Sequence, residues 1–308
     1  MHSPNRPDRK ELIVVTGAST GMGAATARVL AGKGFHVLAG VRREADADAL
    51  RGDGIEPRIL DITVESDIAA IADRVDADPL QRRLRALVNN AGTAINAPVE
   101  TLPLAEWRKQ FEVNLFGHIA MTQALFPALL SSSGTLVNVS SVGGKAVLPT
   151  YGAYAASKFA LEAVSDALRR EVGNAGIKVV VIEPGAVKTE MAERGIATAE
   201  GLKANMTANQ LARYGDLSAA IAAQARSFTE TGVSAENAAK VIARAAAASR
   251  PRTRYTIGRD AAILVRVSRL VSDRTLDRVI RLNLRSHYSR DGRPQRRCQP
   301  RRIGIQRA

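Results

Sequence analysis

The strongest constraint on this chain is the repeated handover from a short apolar run to a helical stretch. Leu12 to Thr16 is β-branched and apolar, ends in glycine, and is followed by helical composition from Met22 to Ala31. Phe35 to Val41, Arg58 to Leu60, Leu84 to Val88, Thr135 to Val139, Lys178 to Ile182 and Arg254 to Ile257 read as further strands. Asp67 to Val75, Leu104 to Leu130, Tyr154 to Val172 and Ala235 to Ala248 read as helices, the second of them broken late by Pro127. The strand runs are continuously apolar, which is the pattern of strands buried on both faces. Strands of that kind alternating with helices form a parallel sheet. The expected fold is α/β: a doubly wound parallel sheet with helices on both faces, in a single domain with a C-terminal helical extension.

Length and composition narrow the classes. With 308 residues the chain can bury a core without covalent staples. One cysteine, Cys298, excludes an intramolecular disulfide, and the four histidines are scattered without metal-ligand spacing. Leu12 to Val15 is far too short for a signal core or a membrane span, so a cytoplasmic protein is expected. Of the 44 Lys and Arg, 17 lie from Arg250 to Ala308, against 4 of the 30 Asp and Glu, so that segment holds +13 of the +14 net charge. The body of the chain is nearly neutral, and the basicity reads as a solvated tail. Residues 1–10 read as a flexible leader, 11–260 as the domain with a lid at about 189–234, 261–284 as an amphipathic helical extension, and 285–308 as a basic disordered tail.

The first turn is Thr16-Gly17-Ala18-Ser19-Thr20-Gly21-Met22-Gly23, between the first strand and the first helix. Glycines there let backbone N–H groups approach a phosphate, and the helix N-terminus favours an anion. Three glycines alone would suit any tight connection; the position after the first strand is where a dinucleotide is expected. An acidic residue closing the second strand would hold the adenosine ribose and repel a 2′-phosphate. Here Arg42 and Arg43 close it, which favours NADP(H) over NAD(H).

Tyr154 and Lys158 stand four apart on one helix and share a face. A nearby ammonium stabilises a phenolate, so this tyrosine could exchange a proton with a carbonyl or alcohol oxygen. Such a pair is common on helix surfaces; its company makes it specific. Tyr151 has Ala155 four later and so lacks a lysine partner. Ser140 and Ser141 lie past the end of an apolar strand, Asn89-Asn90-Ala91-Gly92 ends another, and Asn114 lies on a helix. Ser141 precedes Tyr154 by 13 positions, and Asn114 precedes Ser141 by 27.

On these residues, with Asp61 and Pro184-Gly185-Ala186-Val187-Lys188-Thr189, the chain resembles the short-chain dehydrogenases/reductases over roughly residues 10–258. The likeness is greatest to hydroxysteroid- and retinol-dehydrogenase-type members. The resemblance implies a Rossmann-type fold and an NAD(P)-dependent oxidoreductase acting on a carbonyl or alcohol. It implies Tyr154 as general acid/base, Lys158 as the group that lowers its pKa and binds the nicotinamide ribose, and Ser141 as the donor to the substrate oxygen. Asn114 would hold a water beside Lys158. The implied cofactor contacts are Gly17, Ser19, Thr20, Gly21, Met22, Gly23, Arg42, Arg43, Asp61, Ile62, Asn90, Ala91, Gly92, Tyr154, Lys158, Pro184, Gly185, Val187 and Thr189. Asp61 would meet the adenine, and Asn90 would mainly brace the sheet. Many NADP-using members carry a basic residue before the second glycine of the turn; this chain has Thr20.

The leading expectation is an NADP(H)-dependent enzyme for a hydrophobic steroid-, retinoid- or lipid-like substrate. The alternatives are an NAD-dependent relative acting on a small polar, sugar or acyl substrate, and a cofactor-binding scaffold without chemistry. The resemblance also implies a homodimer or homotetramer built on the two long helices. Peripheral membrane contact through 261–284 is a lesser expectation. The tail lacks the aromatic interleaving of nucleic-acid binders, so no specific nucleic acid is expected. His118, one turn after Asn114, reads as structural, and Trp107 with Phe111 as packing.

Overall fold

The computed structural model describes residues 11–288, Arg269 excepted. The leader and the tail beyond Tyr288 lie outside the described residues. The strands are β1 (Leu12–Val15), β2 (His36–Val41), β3 (Ile55–Ile59), β4 (Leu84–Asn89), β5 (Thr135–Val139), β6 (Lys178–Pro184) and β7 (Arg254–Ile257). They form one parallel sheet in the order β3-β2-β1-β4-β5-β6-β7. The chain winds outward from β1 to β3, then returns to place β4 on the other side of β1. The carboxyl ends of β1 and β4 therefore flank the switch point, where such folds open a crevice.

Each face of the sheet has its own core. Ile13, Val15 and Val37 pack under α1 (Gly21–Ala31), α2 (Glu44–Leu50) and α9 (Ala235–Ala247) with Ala27, Leu30 and Ile242. Val14, Leu38 and Leu87 pack under α3 (Glu65–Asp76) and α5 (Gly117–Ser132) with Ile71, Met121, Leu125 and Leu129. Every side chain of β1 is fully buried, which is why its sequence is unbrokenly apolar. Each buried leucine or isoleucine contributes about 1.5–3 kcal/mol relative to exposure.

The stretch read as one helix from Leu104 is α4 (Leu104–Phe111), a π-helical segment (Glu112–Phe116) and α5 in continuous succession. A π segment carries an extra residue per turn and commonly marks a functional position. Pro127 does not break this helix, contrary to expectation; α5 runs to Ser132 and ends on left-handed Ser133. The lost hydrogen bond is tolerated because Leu125 and Leu129, on either side, are locked against the sheet. By length and composition this is the one helix among the described residues able to cross a membrane, but Met121, Leu125 and Leu129 face the protein core.

The lid segment after β6 is helical: α7 (Glu190–Ala204) and α8 (Ala208–Thr231), the latter opened by a capping box of Thr207 and Gln210. The extension read as one amphipathic helix is two, α10 (Arg259–Val267) and α11 (Asp273–Leu284). They dock on different parts: Ala261 and Val265 of α10 are buried and Ala261 seats on Gly185, while Asn283 of α11 accepts from Gln224 of α8. The first residues assigned to the tail, Arg285–His287, form a 3-10 turn.

Candidate active site

The glycine turn is clamped between β1, β4 and α1. Thr16 Oγ1 accepts from the backbone N–H groups of Asn90 and Ala91 at 3.0 Å. Asn90 Nδ2 donates to the Thr16 and Gly17 carbonyls at 3.0 and 3.1 Å, so Asn90 braces the turn itself. Gly17 has φ 64°, and a Cβ on it would stand 2.6 Å from Ala91 Cα. A Cβ on Gly23 would collide with the Gly17 carbonyl. Thr20, the N-cap of α1, makes no side-chain cap and the first turn carries no acid. Its N–H groups and helix field remain available to a diphosphate, so this turn fits a dinucleotide. Thr189, the N-cap of α7, lies against the same turn, its Cγ2 being 3.2 Å from a Cβ placed on Gly21.

The rim of β2 is more constrained than the sequence suggested. Arg43 donates to Asp46 through Nε and Nη2 at 2.9 and 2.7 Å, while Arg42 makes no such pair among the described residues. The Asp46 carboxyl is held below its usual range by Arg43, with Ser19 of the turn and Arg42 contributing. Asp61 spends a carboxylate oxygen on Thr63, accepting from its N–H at 3.0 Å and its hydroxyl at 2.7 Å, and leads into α3. The neighbouring Ile62 is buried against Gly117 at the start of α5.

Ser141, Tyr154 and Lys158 converge at the ends of β5 and α6 (Gly152–Glu171). Ser141 is extended and caps the 3-10 turn Val142–Gly144, accepting from the Gly143 N–H at 3.0 Å. Its hydroxyl and the Tyr154 ring border the same point, each 3.3 Å from a Cβ placed on Gly143. Ser140 lies in the same wall with its Oγ buried and unpartnered. Lys158 is 4 % exposed and donates from Nζ to the Val139 carbonyl at 2.9 Å. Burial holds its ammonium down to about 8.

One expectation differs here. In the chain by itself Tyr154 is held above the ordinary phenol value by burial, with the Ser141 hydroxyl working in the opposite direction. Lys158 donates to the Val139 carbonyl, and burial is the larger influence on the phenol.

Asn114 sits in the π-helical segment, fully buried. Its amide accepts from the Thr93 N–H at 2.9 Å and donates to the Thr93 carbonyl at 2.9 Å and Ser157 Oγ at 3.0 Å. Asn114 Oδ1 and Lys158 Nζ border the same small space at Gly92, 3.4 and 3.9 Å from a Cβ placed there. His118 donates or accepts at the Ala91 carbonyl through Nε2 at 2.7 Å, and burial holds its pKa down to about 3. Behind the site, Glu162 joins Lys145 at 2.8 Å and Arg254 at 3.0 Å, tying the loop after Ser141 to α6.

The cleft is open to solvent and spans about 1280 Å³ with its mouth included. Met22, Asn90, Gly92 and Pro184 to Val187 line it together with Ser141, Tyr154 and Lys158. Met191 and Ile196 of α7, Phe228 of α8 and Leu264 of α10 supply apolar walls. The sequence reading missed these four, since residue spacing does not say which lid face meets the cleft. It also set Tyr151 aside. That ring lines the cleft edge-on to Tyr154, with centroids 6.3 Å apart, and burial pushes its pKa to about 12.

The family model for short chain dehydrogenases matches residues 11–200. The chain is 40% identical over 182 residues to the uncharacterized oxidoreductase YbbO of Escherichia coli K12, covering 59% of this chain and 67% of that one. It is 31% identical over 280 residues to the NADPH-dependent 3-dehydrocapnine reductase of Ornithobacterium rhinotracheale, covering 88% and 96%. A solved structure of a short-chain dehydrogenase from Streptomyces avermitilis superposes with a TM-score of 0.70 at 28% identity, covering 91% of this chain and 96% of that chain.

Proposed function

Since the chain belongs to the short-chain dehydrogenase family and is an NAD(P)-dependent oxidoreductase, we propose that it reduces a carbonyl, or oxidises the matching alcohol, on a hydrophobic lipid-like substrate with NADP(H). The observation that carries this reading is the convergence of Ser141, Tyr154 and Lys158 on one cleft that also contains the fitted turn and an apolar roof. When bound, the dinucleotide supplies or takes up the hydride.

The chain's own groups manage the oxygen. Ser141 and Tyr154, which line the same cleft, present two hydroxyls to a carbonyl oxygen entering between them. In the reductive direction Tyr154 gives its proton to that oxygen; in the oxidative direction it takes one. Lys158 keeps a positive charge near the resulting phenolate, and Asn114 and Thr93 brace the floor beside it. The apolar walls from α7, α8 and α10 exclude water and favour a hydrocarbon body.

NADP(H) is supported by Arg42 and Arg43 at the rim of β2 and by the NADPH dependence of the Ornithobacterium relative. Fluorescence titration with NADPH and NADH tests it, and tighter NADH binding would overturn it. Tyr154→Phe should lower turnover of any accepted ketone about a thousandfold while leaving cofactor affinity in place; retained turnover would remove Tyr154 from its role.

A cytoplasmic homo-oligomer completes this reading. Phe116, 50% exposed, and Phe159, 42% exposed, stand on the two long helices and are the surfaces we assign to a second copy. A lesser reading is a peripheral membrane contact, favoured by exposed Leu270 and Leu282 near Arg278 and Arg281. Flotation with anionic vesicles tests it.

A further inference from the structure

Four parts of the chain meet behind the cleft through charged side chains that do not themselves line it. Lys145 stands on the loop after Ser141, Glu162 and Asp166 on α6, Glu183 near the end of β6, and Arg254 on β7. Arg254 is the hub. Its Nη2 donates to Glu162 Oε2 at 3.0 Å and to Asp166 Oδ1 at 2.9 Å, and its Nε stands 3.3 Å from Glu183 Oε1. Glu162 Oε2 also takes the Lys145 ammonium at 2.8 Å. Glu162 is therefore the link between the hub and the loop.

The parts joined in this way bear the groups that line the cleft. Helix α6 carries Tyr154 and Lys158, with Glu162 one turn after Lys158, and Glu183 immediately precedes Pro184 and Gly185. The loop carries Ser141. It rests directly on α6, since a Cβ on Gly144 would stand 3.1 Å from both Glu162 Cγ and the Lys158 carbonyl oxygen. Lys145 follows the 3-10 turn that Ser141 caps. The N–H groups of Gly144, Lys145 and Ala146 close that turn on the Ser141 and Val142 carbonyls at 2.9, 3.0 and 3.0 Å. Holding Lys145 thus holds the turn from which the Ser141 hydroxyl projects. Such a group is a poor source of stability. Glu162 is 4% and Glu183 2% exposed, and the cost of desolvating buried ions offsets most of their attraction. Apolar side chains would join these elements as firmly; a charged pair adds a fixed direction and distance.

We propose that Lys145, held by Glu162 and through it by Arg254, is a positioning residue for Ser141. It sets where the Ser141 hydroxyl meets the oxygen that exchanges a proton with Tyr154, and it acts on turnover only through that hydroxyl. A displacement of about 1 Å in a group that touches the reacting atoms is enough to cost about a hundredfold in rate. The proposal rests on the reductase reading for the role of Ser141, and on the ion pairs alone for the anchoring of the turn.

The test is a double-mutant cycle between Lys145 and Ser141, with hydrogen exchange of the turn followed in the same proteins. Lys145→Met keeps the aliphatic stem and removes the charge, while Lys145→Arg keeps the charge. The Lys145 side chain is 17% exposed, so its replacement leaves the core intact. Glu162→Gln breaks the same pair from the buried side. Lys145→Met should speed exchange at Gly144 to Ala146 and lower kcat for an accepted ketone about tenfold, with NADPH affinity unchanged. Lys145→Arg should restore both. In a Ser141→Ala background, Lys145→Met should change kcat by less than about twofold, because the hydroxyl it acts through is gone. A kcat loss of equal size in both backgrounds overturns the proposal, as does an unchanged kcat. Exchange that stays slow in both Lys145→Met and Glu162→Gln overturns it as well. A wild-type protein that turns over no ketone or alcohol sinks the reductase reading. Exchange that is then fast in Lys145→Met and slow in Lys145→Arg still supports the anchored turn.

Discussion

The proposed preference for NADP(H) rests on Arg42 and Arg43 after β2, and Asp46 of α2 bears on it. Arg42 and Arg43 both suit a 2′-phosphate by charge, but they do not start from the same state. The Arg43 fork is filled by the two oxygens of Asp46, so a phosphate must compete with a carboxylate already in place. The pair is exposed and therefore weak, so it can be exchanged. Asp46→Ala should tighten NADPH binding about fivefold, with a smaller effect on NADH, and the gain should shrink as salt rises. Fluorescence titration at two ionic strengths checks this, and equal changes for both cofactors would show that Asp46 does not act through the phosphate. The two arginines after β2 could be read from sequence. The intervention of Asp46 could not, because an acid three residues past an arginine is an ordinary helix-opening pattern.

The helix from Leu104 to Ser132 shows what an element adds. Its π-helical segment carries Asn114, and the next turn carries His118 against the Ala91 carbonyl. The histidine, read as structural, is 1% exposed, and its Nδ1 has no partner. Burial, with Lys158 nearby, holds its pKa at about 3 against an ordinary 6.5. The unfolded chain therefore takes up this proton near pH 6.5, and the native state only near pH 3. Between those values the unfolded state binds more protons, so stability falls as pH falls, by up to about 1.4 kcal/mol per pH unit from this group. His118→Gln should flatten the acid limb of a denaturant-midpoint profile over that window. An unchanged slope would place the acid sensitivity elsewhere. Asn114 was identifiable by its distance from Ser141, whereas the π-helical turn that aims it has no signature in residue periodicity.

At the scale of the whole molecule, the polarity of the surface separates two regions. The body is nearly neutral and the C-terminal segment carries most of the net positive charge. Exposed aromatic rings on the long helices, Phe116 and Phe159, carry the proposed contact between copies. Phe159→Glu should lower the oligomeric state measured by light scattering at a given concentration, with the Phe116→Glu variant behaving alike, because a buried carboxylate without a partner is costly. A wild-type monomer, or an assembly indifferent to both changes, would remove these helices as the contact.

The sequence by itself determined the doubly wound sheet, the glycine turn after β1, and the spacing that singles out Ser141, Tyr154, Lys158 and Asn114 as candidates. Those features are local: an apolar period, a run of glycines, and fixed spacings along single elements. The tertiary structure alone decided what roofs the cleft and what stands behind it. Met191, Ile196, Phe228 and Leu264 come from three helices that meet only when the chain is packed. It also decided that Pro127 stays inside a helix and that the extension divides in two, because burial against the sheet and against α8 outweighs local propensity.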